Sequence, residues 1–459
     1  MSLPDLIEIV PLAGPVRAEI TVPGSKSITN RALVLAALAD GETTLQGALW
    51  SEDTQVMVEC LQELGFMVNV ASDPNDSCNR SITLYGLGGK VPRGGTVEQP
   101  MELFVGNAGT AARFLAPMVC LGEGVYRLHG VPRMHERPQA ALFEALRQLG
   151  YRIDSANDKL PALIHGAGSK AGAKCSVSIE ASSQFASALL LSAGIGGWQI
   201  SIEGENADES SYVVMTSELV KAFPHRGSKF QIEPDASSGS YFWGADWLLG
   251  GSELPSLMKD LIQIPDPEAQ RKTALEFLKR GHTRIGVADW PESGWQLDAD
   301  FTVFVAYHVA SLAAEISRAR DLADSIMTAI TLAPFATSGV RFTDLGRLRV
   351  QECERVVALR TELTKCGAKV IEEGDTLTVY PSQLHGAEIE TYNDHRMAMC
   401  FAVLGLKVPG IKLRKPSCVK KTFPNFFQKL AALPPNGLGA TILDARTREP
   451  LSHDELFAH

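Results

Sequence analysis

The sequence predicts an α/β fold built from an internally repeated strand–helix unit, and two observations carry that expectation. Six stretches read as helices apolar on nearly every face, each opened by small or polar residues and closed by a Gly-rich break. Between them lie helices apolar along one stripe only, each ending near a Gly that leads into a strand-like run. A helix apolar all round must be buried inside a domain, while a one-striped helix covers a sheet.

The first copy is "VPGSKSITNRALVLAALADGETTLQG", Val22 to Gly47. "GNAGTAARFLAPMVCLGEGVYRLHG" follows from Gly106, and "SSQFASALLLSAGIGGWQISIEG" from Ser182. "DASSGSYFWGADWLLGG" begins at Asp235 and is the weakest in its strand. "DLADSIMTAITLAPFATSGVRFTD" begins at Asp321, and "NDHRMAMCFAVLGLKVPGIKLRK" at Asn393. The striped helices place Met57, Leu61 and Leu64 on one face, then Leu142, Ala145, Leu146 and Leu149, then Val356, Leu359 and Leu363. The order strand, helix, strand, helix, strand describes the unit. Packing periodicity common to any α/β protein is the plain alternative; the helix starts argue against it. They carry Lys26, Ser27, Asn30, Arg31, Asn107, Thr110, Arg113, Ser182, Ser183, Gln184, Asp394, His395 and Arg396. A helix N-terminus offers free N–H groups and the positive end of the dipole, so several such ends beside Lys and Arg form a pocket for more than one anionic group.

Composition bounds the function. The 459 residues suit two or three domains, and 45% hydrophobic with 21% charged residues is an ordinary globular balance. A net charge of −10 argues against a general binder of nucleic acid, so an anionic ligand needs a local basic pocket. The eight cysteines are scattered without a C-x-x-C pair, which favours a reducing, cytoplasmic setting over a structural zinc. The start "MSLPDLIEIVPLAGPV" lacks the basic and apolar regions of a signal peptide, and no apolar run is long enough to span a bilayer.

Eight motifs in order, "PGSKSITNR", "GNAGTAAR", "PRMHERP", "SSQFASALL", "DASSGSYF", "RVQECER", "NDHRMAM" and "CVKKTFPNFF", make the chain resemble the 5-enolpyruvylshikimate-3-phosphate synthases of the enolpyruvyl transferase family. The resemblance implies two domains, each of three βαβαββ repeats, with the active site in the interdomain cleft. Residues 24–234 would form one domain. Residues 1–23 with 235–459 would form the other. Residues 247–299 fit least well and read as a diverged repeat.

The family reaction joins the 5-hydroxyl of shikimate 3-phosphate to phosphoenolpyruvate and expels phosphate. It needs an acid, a base and much positive charge, but neither metal nor organic cofactor. The implied partners are those two small molecules alone, with no nucleic acid or membrane, acting on a monomer. By resemblance, Asp324 takes the hydroxyl proton and Glu352 exchanges the proton at the methylene carbon. A helix N-cap and a solvated helix charge are their structural alternatives. Lys26, Gly109, Arg133, Gln184, Arg355, Arg396 and Lys421 are implied around phosphoenolpyruvate, Lys26 also as an acid. Lys26, Ser27, Arg31, Ser182, Ser183, Gln184, Tyr212, Asp324, Arg347 and Gln351 are expected around shikimate 3-phosphate. His395 reads equally as a helix-start hydrogen bonder or an active-site group.

Departures from the family pattern stand at Phe114, where Pro is usual, at Glu209, where a Ser is usual, and at Gln351, where a Lys reaches the phosphate. Arg347, four residues before Gln351, is expected to act as the substitute cation. The loss of Pro at Phe114 is expected to reduce sensitivity to the inhibitor glyphosate. Competing expectations are transfer to a UDP-amino sugar, transfer to a different acceptor, phosphorylated or not, and a catalytically dead ligand binder. The first is disfavoured by the absence of a Cys near "VPRMHERP", and the last by the retained acids and cations.

Overall fold

A computed structural model describes residues 3–459 except 75, 205–206, 251–263, 265, 267–268, 270–272, 274–275, 277–283 and 303–314; the side chains of 207–210 are also outside the description. Much of the stretch read as a diverged repeat therefore lies outside the described residues. The chain divides into two compact units: Gly24–Glu233, and Met1–Pro23 with Pro234–His459.

Within Gly24–Glu233, one sheet runs Ser228–Gln231, Asp40–Leu49, Asn79–Leu87, Val68–Ser72, and a second runs Met101–Phe104, Glu123–His129, Ala162–Ala167, Arg152–Asp154. In both, the first pair is parallel and the other two pairs antiparallel. Lys174–Ser178 and Gln199–Glu203 form a third, parallel pair. Parallel strands need a crossover. Here the apolar helices Gly109–Cys120 and Gln184–Gly196 supply two of them, and Lys26–Leu38 stands before the third second-strand, whose parallel neighbour comes from the end of the unit. The three helices pack on one another. Their sequences explain why: 11 of the 13 residues of Lys26–Leu38 are buried, as are all 12 of Gly109–Cys120. Gln184–Gly196 stops at Gly197, whose φ of 69° is the left-handed C-cap that glycine adopts without a Cβ clash.

The other unit repeats the plan. Glu315–Ser317, Val340–Thr343, Thr376–Tyr380 and Lys369–Glu373 form a sheet in that order, again one parallel and two antiparallel pairs. Glu388–Glu390, Ile411–Arg414, Leu6–Ile9 and Ile442–Asp444 form another with the same sense of pairing, so the N-terminal strand completes a sheet otherwise made by the last 72 residues. Ala18–Ile20 pairs parallel with Ile285–Val287. Helices Ala236–Leu248, Ile326–Leu332 and His395–Gly405 follow the first strand of each set and pack together. The striped helices bury the faces read from the sequence: Met57, Leu61, Leu64, Leu142, Ala145, Leu146, Leu149, Val356, Leu359 and Leu363 all lie in cores. Among the described residues no helix is long and apolar enough to cross a membrane.

Candidate active site

In Gly24–Glu233 the starts of the three packed helices are cross-linked by polar side chains. Asn30 Nδ2 donates to Thr110 Oγ1 at 2.9 Å, and Arg113 Nη1 to Gln184 Oε1 at 2.6 Å. Arg31 donates to Thr216 Oγ1 at 2.7 Å, to Ser187 Oγ at 3.1 Å and to the Ser27 carbonyl at 2.9 Å. Its guanidinium lies 5.1 Å over the Phe114 ring, a contact that Pro at that position could not make. These partners are neutral, and burial pulls the guanidinium down to about 10, so Arg31 holds a desolvated positive charge that favours an anion. Lys26 Nζ pairs with Asp53 Oδ2 at 3.0 Å. Ser182 and Ser183 are buried at the N-terminus of Gln184–Gly196, where Ser182 Oγ accepts from the Gln184 N–H. Tyr212 is half-buried, and its carbonyl accepts from Thr216 Oγ1 at 2.8 Å.

The "PRMHERP" motif is arranged differently from the expectation. Arg133 is 68% exposed and pairs with its neighbour Glu136. Arg137 instead reaches the start of Gly109–Cys120: a Cβ on Gly109 would stand 2.6 Å from Arg137 Nη2 and 2.7 Å from Arg113 Nη1. Arg137 Nη1 also donates to the Asn107 carbonyl at 3.2 Å. The cause is local. The short helix Pro132–Glu136 ends because Pro138 forces its predecessor out of the helical region, and Arg137 has φ −72° and ψ 144°. Arg113, one of the helix-start cations of the sequence reading, and Arg137, which sequence reasoning missed, are thus the cations at Gly109; an Arg directly before a Pro was the signal for Arg137.

In the other unit Asp324 is nearly buried and held by two arginines. Arg318 Nη2 lies 3.0 Å from Oδ1, and Arg396 Nη2 lies 3.3 Å from Oδ2. Burial alone would raise this carboxyl; Arg396, Arg318 and Arg355 outweigh it and hold Asp324 well below the usual carboxylate range. The residue before it, Ala323, has φ 42°, a conformation L side chains rarely adopt. Arg396 Nη2 also donates to Ser237 Oγ at 3.1 Å, and Ser237 Oγ donates to Asp235 Oδ1 at 2.5 Å. Asp298 Oδ1 accepts from the Ser325 N–H at 2.6 Å; burial and the Asp324 charge push its carboxyl up to about 7.

Glu352 is shared between Arg355 Nη2 at 2.8 Å and Lys421 Nζ at 2.9 Å. Arg355 is buried against Asp394, with Nε 2.6 Å from Oδ2 and Nη2 3.3 Å from Oδ1. Asp394 caps its helix by accepting from the Arg396 N–H at 2.8 Å. His395 is buried, which keeps its imidazole well below its usual range and neutral at pH 7. Gln351 turns its Oε1 onto Arg355 Nη1. Arg347 is half-buried on the turn Gly346–Val350, and Arg349 on the same turn pairs with Glu354, Glu372 and Asp375. The Glu209 side chain lies outside the described residues.

The model of the EPSP synthase (3-phosphoshikimate 1-carboxyvinyltransferase) family matches residues 11–226 and 224–430. A relative from Trichormus variabilis named 3-phosphoshikimate 1-carboxyvinyltransferase is 37% identical over 452 residues, covering 93% of this chain and 98% of its own. One of the same name from Vibrio campbellii is 37% identical, covering 91% and 97%. Among solved structures, an EPSP synthase from Acinetobacter baumannii aligns with a TM-score of 0.68 at 20% identity, over 95% of this chain and 99% of that one. The enolpyruvyl transferase NikO from Streptomyces tendae aligns at 0.62 and 14% identity, over 95% and 98%. These two show the same fold. Likeness of this extent, end to end and in both halves, places the chain in the EPSP synthase family.

Proposed function

We propose that the chain transfers the enolpyruvyl group of phosphoenolpyruvate to the 5-hydroxyl of shikimate 3-phosphate and releases phosphate, as its relatives are named for. The observation that carries this reading is a pair of carboxylates, Asp324 and Glu352, each held by two cations in a family member. Asp324, ionised at neutral pH, takes the hydroxyl proton as the new C–O bond forms. Glu352 relays a proton to the methylene carbon, giving a tetrahedral adduct. Removal of a proton from the resulting methyl group by Glu352 then expels phosphate and restores the double bond. Arg355, Arg396, Lys421, Arg113 and Arg137 bind the carboxylate and phosphate of phosphoenolpyruvate, where guanidinium forks suit both. Lys26 is the acid toward the bridging oxygen. Arg31 and Ser27 hold the shikimate carboxylate, Ser182 and Ser183 its phosphate, and Gln184 and Tyr212 its ring. The protein works as a cytoplasmic monomer; its eight cysteines are free thiols, in keeping with a reducing compartment. Phosphate release from phosphoenolpyruvate, assayed with shikimate 3-phosphate, shikimate or a UDP-sugar as acceptor, tests the reading, and release only with another acceptor overturns it.

Two predictions sharpen the residue set. Arg137→Ala will raise KM for phosphoenolpyruvate about tenfold or more, the worth of one charged hydrogen bond, while Arg133→Ala stays within about twofold of wild type. Equal losses in both would return Arg133 to the site. Arg347 is proposed as the cation that replaces the family Lys; Gln351 itself is engaged with Arg355. Arg347→Ala will therefore raise KM for shikimate 3-phosphate about tenfold with little change for phosphoenolpyruvate. An unaffected variant, or equal use of unphosphorylated shikimate, would favour a different acceptor.

A further inference from the structure

We propose that Arg318 is a positioning residue for this reaction, a buried fixed counter-ion that holds Asp324 in place through Oδ1 and leaves Oδ2 to do the proton transfer. The inference deepens the function proposed above and rests on it. Arg318 is 1% exposed and belongs to the segment Arg318–Leu322, which Ala323 alone separates from Asp324. Its Nη2 meets Oδ1 at 3.0 Å, while Oδ2 faces Arg396 at the longer distance of 3.3 Å. The two arginines differ in kind. Arg396 is partly open and is itself proposed to bind the anionic substrate, so its pull on Asp324 weakens as substrate draws it away. Arg318 is sealed in the interior and keeps its grip throughout.

The arrangement needs such a residue. Ala323 takes a positive φ just before Asp324, and the carboxylate is surrounded by charges of both signs: Arg318, Arg396 and Arg355, with Asp298 and Asp235 close in the same network. With Arg396 drawn to substrate and no Arg318, the carboxylate would lie near Asp298 in a buried setting that favours the protonated acid. A protonated Asp324 cannot accept the hydroxyl proton.

The test compares Arg318→Met and Arg318→Lys with wild type across pH. In Arg318→Met the proton affinity of Asp324 rises, so the acid limb of kcat/KM moves to higher pH by about one unit or more, and kcat falls about tenfold or more. KM for phosphoenolpyruvate changes less than kcat. Arg318→Lys keeps the charge, leaves the acid limb near its wild-type place and recovers part of kcat; it also serves should the Met variant fail to fold. A folded Met variant whose pH profile and kcat match wild type overturns the proposal, and so does a folded Lys variant whose acid limb moves up by about one unit or more despite its retained charge. Carboxyl ¹³C titration of Asp324 in wild type and variants reads the same effect without turnover. A wild type that turns over no shikimate 3-phosphate overturns the functional reading, whereas an Asp324 titration unmoved by loss of Arg318 overturns this inference alone.

Discussion

Asp324→Asn and Glu352→Gln will each lower kcat by about 10²-fold or more with the fold intact, measured as phosphate release alongside circular dichroism. Both substitutions keep the side-chain shape and remove only the charge and the ability to exchange a proton. The consequences differ between them. Asp324→Asn leaves Arg318 and Arg396 without their anion, and Arg318 is buried, so some stability is lost with activity. Glu352 is about a quarter exposed and lies between Arg355 and Lys421, so Glu352→Gln costs little stability. Its loss should also abolish exchange of the methylene protons of phosphoenolpyruvate with solvent, which Asp324→Asn should impair less. Near wild-type turnover in either variant would remove that residue from its role.

Much of the fold was legible because its signals are local. The six apolar helices and the striped ones announce themselves by period, and the strands between parallel partners follow from the need for crossovers. Where the site failed to be read, the reason was not periodicity. Arg133 and Arg137 are both plausible cations in one motif, and only the backbone break imposed by Pro138 tells which one turns to Gly109. Arg318 stands in no motif, and it pairs with Asp324 across a turn in which Ala323 has a φ of 42°, which no residue type there signals. Gln351 reads as a missing cation in the sequence. In the structure it is an acceptor for Arg355, so the substitution is compatible with that buried arginine in a way a Lys pointing the same way would not be. Phe114 likewise reads as a lost Pro, yet it supplies the ring beneath Arg31.

The largest stability effect is expected at Arg355. Its guanidinium is 1% exposed and its partner Asp394 is wholly buried, so Arg355→Ala strands a carboxylate in the interior and should cost about 3–5 kcal/mol, together with most activity. The loss will depend on pH. Burial would raise Asp394, but Arg355 leads the groups that hold it below the ordinary range. A carboxyl lowered on folding contributes stability that is present above its unfolded value of about 4 and is lost as pH falls through the folded one. The gap in melting temperature between wild type and Arg355→Ala is therefore widest near neutral pH and narrows at acid pH, once Asp394 in the variant is protonated and neutral. His395 adds to the acid sensitivity of both proteins: buried and neutral, it contributes stability above about pH 6.5 that is lost below, when it must charge on unfolding's terms. Asp394→Asn removes the stranded charge but keeps an acceptor for the Arg396 N–H. In a double-mutant cycle, Arg355→Ala in that background should cost well under half of what it costs alone. A gap that is constant from pH 8 to pH 4, or losses that simply add, would mean that Arg355 acts through packing and not through its charge on Asp394.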